Sequence, residues 1–140
     1  MLDKKRILKK LDETMRYVEE LEELTPQTFR EYEDSLKTRR SCERTLQMVI
    51  ESVLDVINML VSGLELGLPS DEEEMIARLL KKNILSKEMG KKLMGMKSTR
   101  NFLVHKYGEV KDELIFDNLK DNLGDFELFR KEVVGFLKSK

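Results

Sequence analysis

Leu46-Gln47-Met48-Val49-Ile50-Glu51-Ser52-Val53-Leu54-Asp55-Val56-Ile57-Asn58-Met59-Leu60-Val61-Ser62-Gly63-Leu64 is the stretch that decides the fold. Leu46, Ile50, Val53, Ile57, Leu60 and Leu64 recur at intervals of four, three, four, three and four, which lines one side of an α-helix with apolar side chains. A half-buried strand would alternate at every second residue, and neither this run nor any other bounded by turn signals does so. The same helix carries a second stripe of Arg44, Gln47, Glu51, Asp55, Asn58 and Ser62. Its simplest reading is a solvated face; the sharper one is a polar groove or dimer seam.

Outward from this seam the chain stays helical. A first helix is expected over about residues 2–24, with Leu8, Leu11, Met15 and Val18 as its apolar stripe. Thr25-Pro26 then offers an N-cap and a first-turn proline for a helical stretch that continues to about Leu64, with a break near residues 33–38 where apolar residues thin out. Gly63, Gly67 and Pro69 end it, and Ser70-Asp71-Glu72-Glu73 opens a short helix to about Lys81. Ser86 starts the next, expected to stop near Gly108. The last segment, from about Lys111 to Lys138, spaces Phe126, Phe129, Val133 and Leu137 helically, with a kink at Asn122 to Asp125. The expected fold is all-α, an up-and-down four-helix bundle with short extra helices, in a single domain over residues 1–140.

Composition narrows the function. Charge is nearly balanced, 26 Lys and Arg against 27 Asp and Glu, so no bulk positive field holds nucleic acid at long range and any RNA contact must be local. The one cysteine, Cys42, excludes an intrachain disulfide and reads as a small buried helix residue in a reducing interior. No window is read as the roughly 20 apolar residues of a membrane span, and the N-terminus lacks the apolar run of a signal peptide. The expected location is the cytoplasm, away from membranes. With one histidine, one cysteine and no HExxH, CxxC or phosphate-cradling glycine loop, neither a metal site nor a cofactor is expected.

The residues that look like chemistry are Arg100-Asn101-Phe102-Leu103-Val104-His105-Lys106-Tyr107. Met89, Leu93, Met96, Arg100, Leu103 and Tyr107 follow the four-three alternation of an apolar stripe, which Arg100 and Tyr107 interrupt. An arginine there either snorkels, pairs with an acid or faces an anionic ligand. Glu51 or Asp55 is the expected counter-charge. His105 lies about 140° around an ideal helix from Arg100, so the two share no face. It does share one with Ser98 and Asn101, and Asn101 stands where it can hydrogen-bond the ring. By itself a histidine at this place is a helix C-terminal cap favoured by the dipole.

Taken together, the set suits cleavage of RNA without a metal ion. A base takes the 2′-hydroxyl proton, the oxygen attacks the adjacent phosphate, a cation stabilises the developing charge and an acid protonates the leaving 5′-oxygen. His105 fits the base or the acid and Arg100 the phosphate. Two proton-transfer groups are needed and one chain has one histidine, so a homodimer with a composite site along its two-fold seam is expected.

Arg100, His105 and Tyr107 in the pattern R-x4-H-x-Y resemble the signature of the HEPN superfamily, specifically the HepT-like ribonuclease toxins paired with minimal nucleotidyltransferase antitoxins. The likeness extends to Glu43-Arg44-Thr45-Leu46-Gln47 with Ile50-Glu51, and to Gly108, Leu114, Ile115 and Leu123. It implies an all-α homodimer, a metal-independent endoribonuclease in which Arg100 and His105 carry catalysis, and a nucleotidyltransferase antitoxin that silences it by attaching AMP to Tyr107. The alternative of another class is a non-catalytic subunit that binds nucleotides or docks the nucleotidyltransferase. A plain helical dimerisation module is the third reading, against which the polar interruptions of the stripe stand.

Overall fold

The computed structural model describes residues 2–105 and 112–140, in which seven helices and no strands occur. Four are long: α1 (Lys4–Leu24), α3 (Leu36–Gly63), α5 (Lys87–His105) and α7 (Gly124–Lys138). Three are short: α2 (Phe29–Asp34), α4 (Glu72–Lys81) and α6 (Asp112–Asp121). The long helices close a ring in which α1 packs on α3, α3 on α5, α5 on α7 and α7 back on α1. This is the expected up-and-down bundle of four main helices with short additions.

The seam that sets the fold is buried as its spacing requires. Leu46, Ile50, Val53, Ile57 and Leu60 are each at most 1% exposed, while Leu64 at the helix end is only partly covered. Val49, Val56 and Val61 are buried as well, so α3 is apolar around most of its girth and sits at the centre of the bundle. Among the described helices it alone is long and apolar enough to cross a membrane, contrary to the sequence reading that no window is. Its side chains are spent instead on one hydrophobic core shared with every other helix. On its polar stripe Arg44, Asp55, Asn58 and Ser62 are exposed, as a solvated face predicts.

Three local expectations are corrected. The buried stripe of α1 is Ile7, Leu11, Thr14, Val18 and Leu21, and Leu8 is 42% exposed. Thr14 turns inward because its hydroxyl meets that of Ser52 on α3 at 2.6 Å, each also tied to a backbone carbonyl of its own helix. Thr25 closes α1 rather than opening α2: its N–H and Oγ1 both donate to the Leu21 carbonyl, and Pro26 stops the helix there. The N-cap of α2 is Thr28, whose Oγ1 accepts from Glu31 N–H at 3.2 Å. The break before α3 falls at Ser35, which caps it through Thr38 N–H. The kink expected at Asn122 to Asp125 is a full break at Asn122 and Leu123, between α6 and α7.

Candidate active site

Both ends of α5 are tied by acids from other helices. At its start Ser86 Oγ accepts from Met89 N–H at 3.1 Å, and Glu132 of α7 receives both the Ser86 N–H and its hydroxyl at 2.8 and 2.9 Å. The side chains of Met89, Leu93, Met96 and Leu103 are buried on one stripe, and Arg100 occupies the same stripe. Its guanidinium pairs with Glu72 in the first turn of α4, and its Nε donates to Asn101 Oδ1 at 3.0 Å. The Arg100 side chain is 18% exposed, so the pair is half sheltered from solvent screening.

Glu72 therefore supplies the counter-charge expected of Glu51 or Asp55. Asp55 points to α1, where it meets Lys10 at 3.7 Å, and Glu51 accepts from Gln47 at 3.3 Å. The reason is geometric. Glu51 and Asp55 lie on the polar stripe of α3, whereas α4 lies alongside α5, and Asp71 caps α4 so that its first turn brings Glu72 against that neighbour. The sequence held a signal for the cap but none for which helix it would meet.

His105 is the last residue of α5 and is exposed. The helix is continuous from Arg100 to His105, which keeps the two side chains about 140° apart and about 7.5 Å apart along the axis. Tyr107, and the stop expected at Gly108, lie outside the described residues. Cys42 is fully buried, and burial pushes its thiol above the ordinary range, which suits a packing role. Among the described residues no group of three or more His, Cys, Asp or Glu is placed to hold a metal ion.

One feature escaped the balanced total charge. From Arg78 to His105 stand eight of the 26 Lys and Arg and only one, Glu88, of the 27 Asp and Glu. Counted by element, α5 is basic, five Lys and Arg against Glu88, although the chain is balanced, while α4 sets three Glu of its first turn against Arg78 and Lys81. A groove of about 960 Å³ over Ile76, Leu80, Ile84 and Met94 lies toward the start of α5, and neither Arg100 nor His105 lines it.

An all-helical bundle with an arginine and a histidine five residues apart at the basic end of one helix defines the class in which to look for relatives. Residues 14–133 match the family model described as Ribonuclease HepT-like, and the chain belongs to that family. It is 25% identical over 122 residues, 87% of its own length and 83% of the relative's, to the tRNA nuclease HepT of Aphanizomenon flos-aquae. To the mRNA nuclease HepT of Shewanella oneidensis it is 27% identical over 84 residues, 60% of this chain and 63% of that one. The fold matches that of the tri-AMPylated Shewanella oneidensis HEPN toxin in complex with MNT antitoxin, with a TM-score of 0.84 at 21% identity, covering 96% of this chain and 97% of that one. It also matches the Bacillus subtilis cytosolic protein YutE, with a TM-score of 0.82 at 17% identity over 99% and 92% of the two chains.

Proposed function

We propose that this protein is the toxin of a toxin–antitoxin pair, an endoribonuclease that cuts RNA without a metal ion and is silenced when a nucleotidyltransferase antitoxin attaches AMP to Tyr107. It acts in the cytoplasm as a homodimer of single-domain chains. Relatives named as tRNA and mRNA nucleases support the reaction, and the AMPylated HEPN toxin in complex with its antitoxin supports the regulation. The observation that carries the reading is Arg100, held half-buried by Glu72 and Asn101 and followed on the same helix by the exposed ring of His105.

The chemistry follows from that arrangement. A guanidinium has five N–H donors, and the bonds to Glu72 and Asn101 use two, so others remain for a phosphate. Glu72 fixes the plane of the fork before substrate arrives, which places the cation where charge develops on the attacked phosphate. His105 takes the 2′-hydroxyl proton or gives one to the leaving 5′-oxygen. The second proton carrier comes from the other subunit, because a continuous α5 keeps His105 off the Arg100 face. An AMP group on Tyr107, seven residues beyond Arg100, adds bulk and negative charge that competes with the RNA phosphate.

The test is RNA cleavage by purified protein in excess chelator, wild type beside His105→Ala and Arg100→Ala. Wild type cleaves, and His105→Ala loses about 10²- to 10⁴-fold. Full activity from a protein that stays monomeric at assay concentration would refute the composite site. The second reading, a non-catalytic subunit that docks the nucleotidyltransferase, is favoured by the same Arg100–Glu72 pair, since an arginine with a counter-charge in its own chain can be purely structural. Wild type that is folded, dimeric and inert would establish it.

A further inference from the structure

We propose that the polar pocket between α5, α6 and α7 receives one unstacked base of single-stranded RNA, upstream or downstream of the phosphate that Arg100 holds. The proposal rests on the ribonuclease reading and adds a substrate subsite to it. The pocket has a volume of about 380 Å³. On one wall stand Asn118 and Asn122, four residues apart, and among the described residues neither side-chain amide has a hydrogen-bond partner in the protein. Each presents an acceptor and two donors, the set that reads the edge of a base. The floor is Met96 and Phe126, both buried, on which a flat ring can lie.

Charge agrees with a nucleotide. The one carboxylate in the pocket, Asp125, is bound by Lys92 at 2.8 Å and so repels a phosphate little, while Lys91 is exposed and in no ion pair among the described residues. Lys91, Ser98 and His105 are seven residues apart and lie in one line along α5, so a strand can run from the histidine to the pocket on the solvent side of the helix.

Gly95 is the independent observation. It lines this pocket in the interior of α5, and no atom beyond the helix's own backbone lies within 4 Å of where its Cβ would stand. Packing gives no reason for a glycine there, and a helix interior is weakened by one. Room for a ligand against the α5 backbone is a reason. From Arg100, which holds the scissile phosphate in this reading, Gly95 is about 7.5 Å along the axis and about 140° around it, a path of about 15 Å over a helix about 11 Å wide, farther than a dinucleotide bound at that phosphate would reach.

The experiment has two arms on the full chain. In the His105→Ala background, anisotropy of a labelled mixed-sequence RNA octamer reads binding without cleavage. There the Asn118→Ala/Asn122→Ala double variant, and separately Gly95→Leu, weaken binding about tenfold. With His105 intact, kcat/KM is compared on the octamer and on a dinucleotide, and the ratio between the two substrates falls about tenfold in the same variants. Unchanged octamer binding, or an unchanged ratio, overturns the pocket. Octamer binding that depends on the pocket in a protein that cleaves nothing keeps the subsite and removes the ribonuclease reading instead. If Gly95→Leu splits the dimer while RNA binding is untouched, the gap belongs to a helix–helix contact and the proposal fails.

Discussion

Helices α3 and α5 make the most instructive pair in the molecule. α3 is apolar on most sides, holds the largest share of the core and carries most of its polar residues on one stripe, with Glu43 and Ser52 buried. α5 is shorter, weakly segregated, punctuated by Gly90 and Gly95 and dense in lysine, and the core stripe it does have is broken by Arg100. Every side chain of the α3 seam contributes to stability. On α5 several choices cost stability, an arginine in the core stripe and a glycine facing open space among them.

Core truncation should separate the two helices most sharply. Ile57→Ala on α3 is expected to lower unfolding stability by about 2–5 kcal/mol, measured by urea denaturation. His105→Ala on α5 should move stability by less than about 0.5 kcal/mol because the ring is exposed, with its effect confined to RNA cleavage. A large stability loss in His105→Ala would place the histidine among structural residues and erase the contrast.

Glu72→Gln probes how far Arg100 belongs to each category. Losing one partner of a half-sheltered pair is expected to cost about 1 kcal/mol, read as a lowered Tm. Under the ribonuclease reading it also frees the guanidinium, so KM for RNA falls while kcat, which relies on the fixed orientation, declines. Unchanged KM and kcat alongside the Tm loss would sharpen Arg100 into a structural group.

The two glycines of α5 should respond in opposite directions. A Cβ on Gly90 would stand 2.6 Å from Leu80 Cδ1, where α4 and α5 press together. Gly90→Ala is therefore expected to destabilise by about 1 kcal/mol, even after the gain in helix propensity. Gly95→Ala meets no neighbour and should stabilise by about 0.5–1 kcal/mol. Paired thermal melts decide it, and a shared sign would remove the distinction between a packing glycine and one kept for open space.

The smallest effect concerns the turn that presents Glu72. Hydrogen bonds from the Ser70 hydroxyl and N–H, with Arg78 beside them, hold the Glu74 carboxyl below its ordinary range. A depressed carboxylate stabilises the fold above its unfolded value and loses that contribution as pH falls through the lower folded value. The Tm gap between wild type and Glu74→Gln should be present at neutral pH and close in acid. A gap that persists below the carboxylate range would mean that the pair acts by packing alone.

How much could be read in advance differs between the same two helices. The α3 seam was legible because burying a four-three stripe admits one solution, and all five of its inner residues are covered. On α1 Leu11 and Val18 are buried as expected, but Ile7 and Thr14 are buried where Leu8 and Met15 were chosen, since Thr14 looks polar in a list and becomes buried only when Ser52 satisfies it. Arg100 and His105 stood out as candidate residues, and the need of Arg100 for a counter-charge, which Glu72 meets, followed from its register. The partner was not legible: α3 does pack on α5, but Asp55 turns to Lys10 of α1 and Glu51 to Gln47, and the counter-charge comes from the short helix α4.

By itself the sequence determined the helical class, the positions of the four long helices and the place of the candidate chemistry at the end of α5. These rest on local period and on residue type, which the chain carries within each segment. Only the tertiary structure decided that Glu72 holds Arg100, that Glu132 holds the start of α5, and that Asn118 and Asn122 face Gly95 across a pocket. Each joins residues more than 20 positions apart in the chain, and side-chain meetings of that kind are fixed by how helices cross, about which a one-dimensional period says nothing.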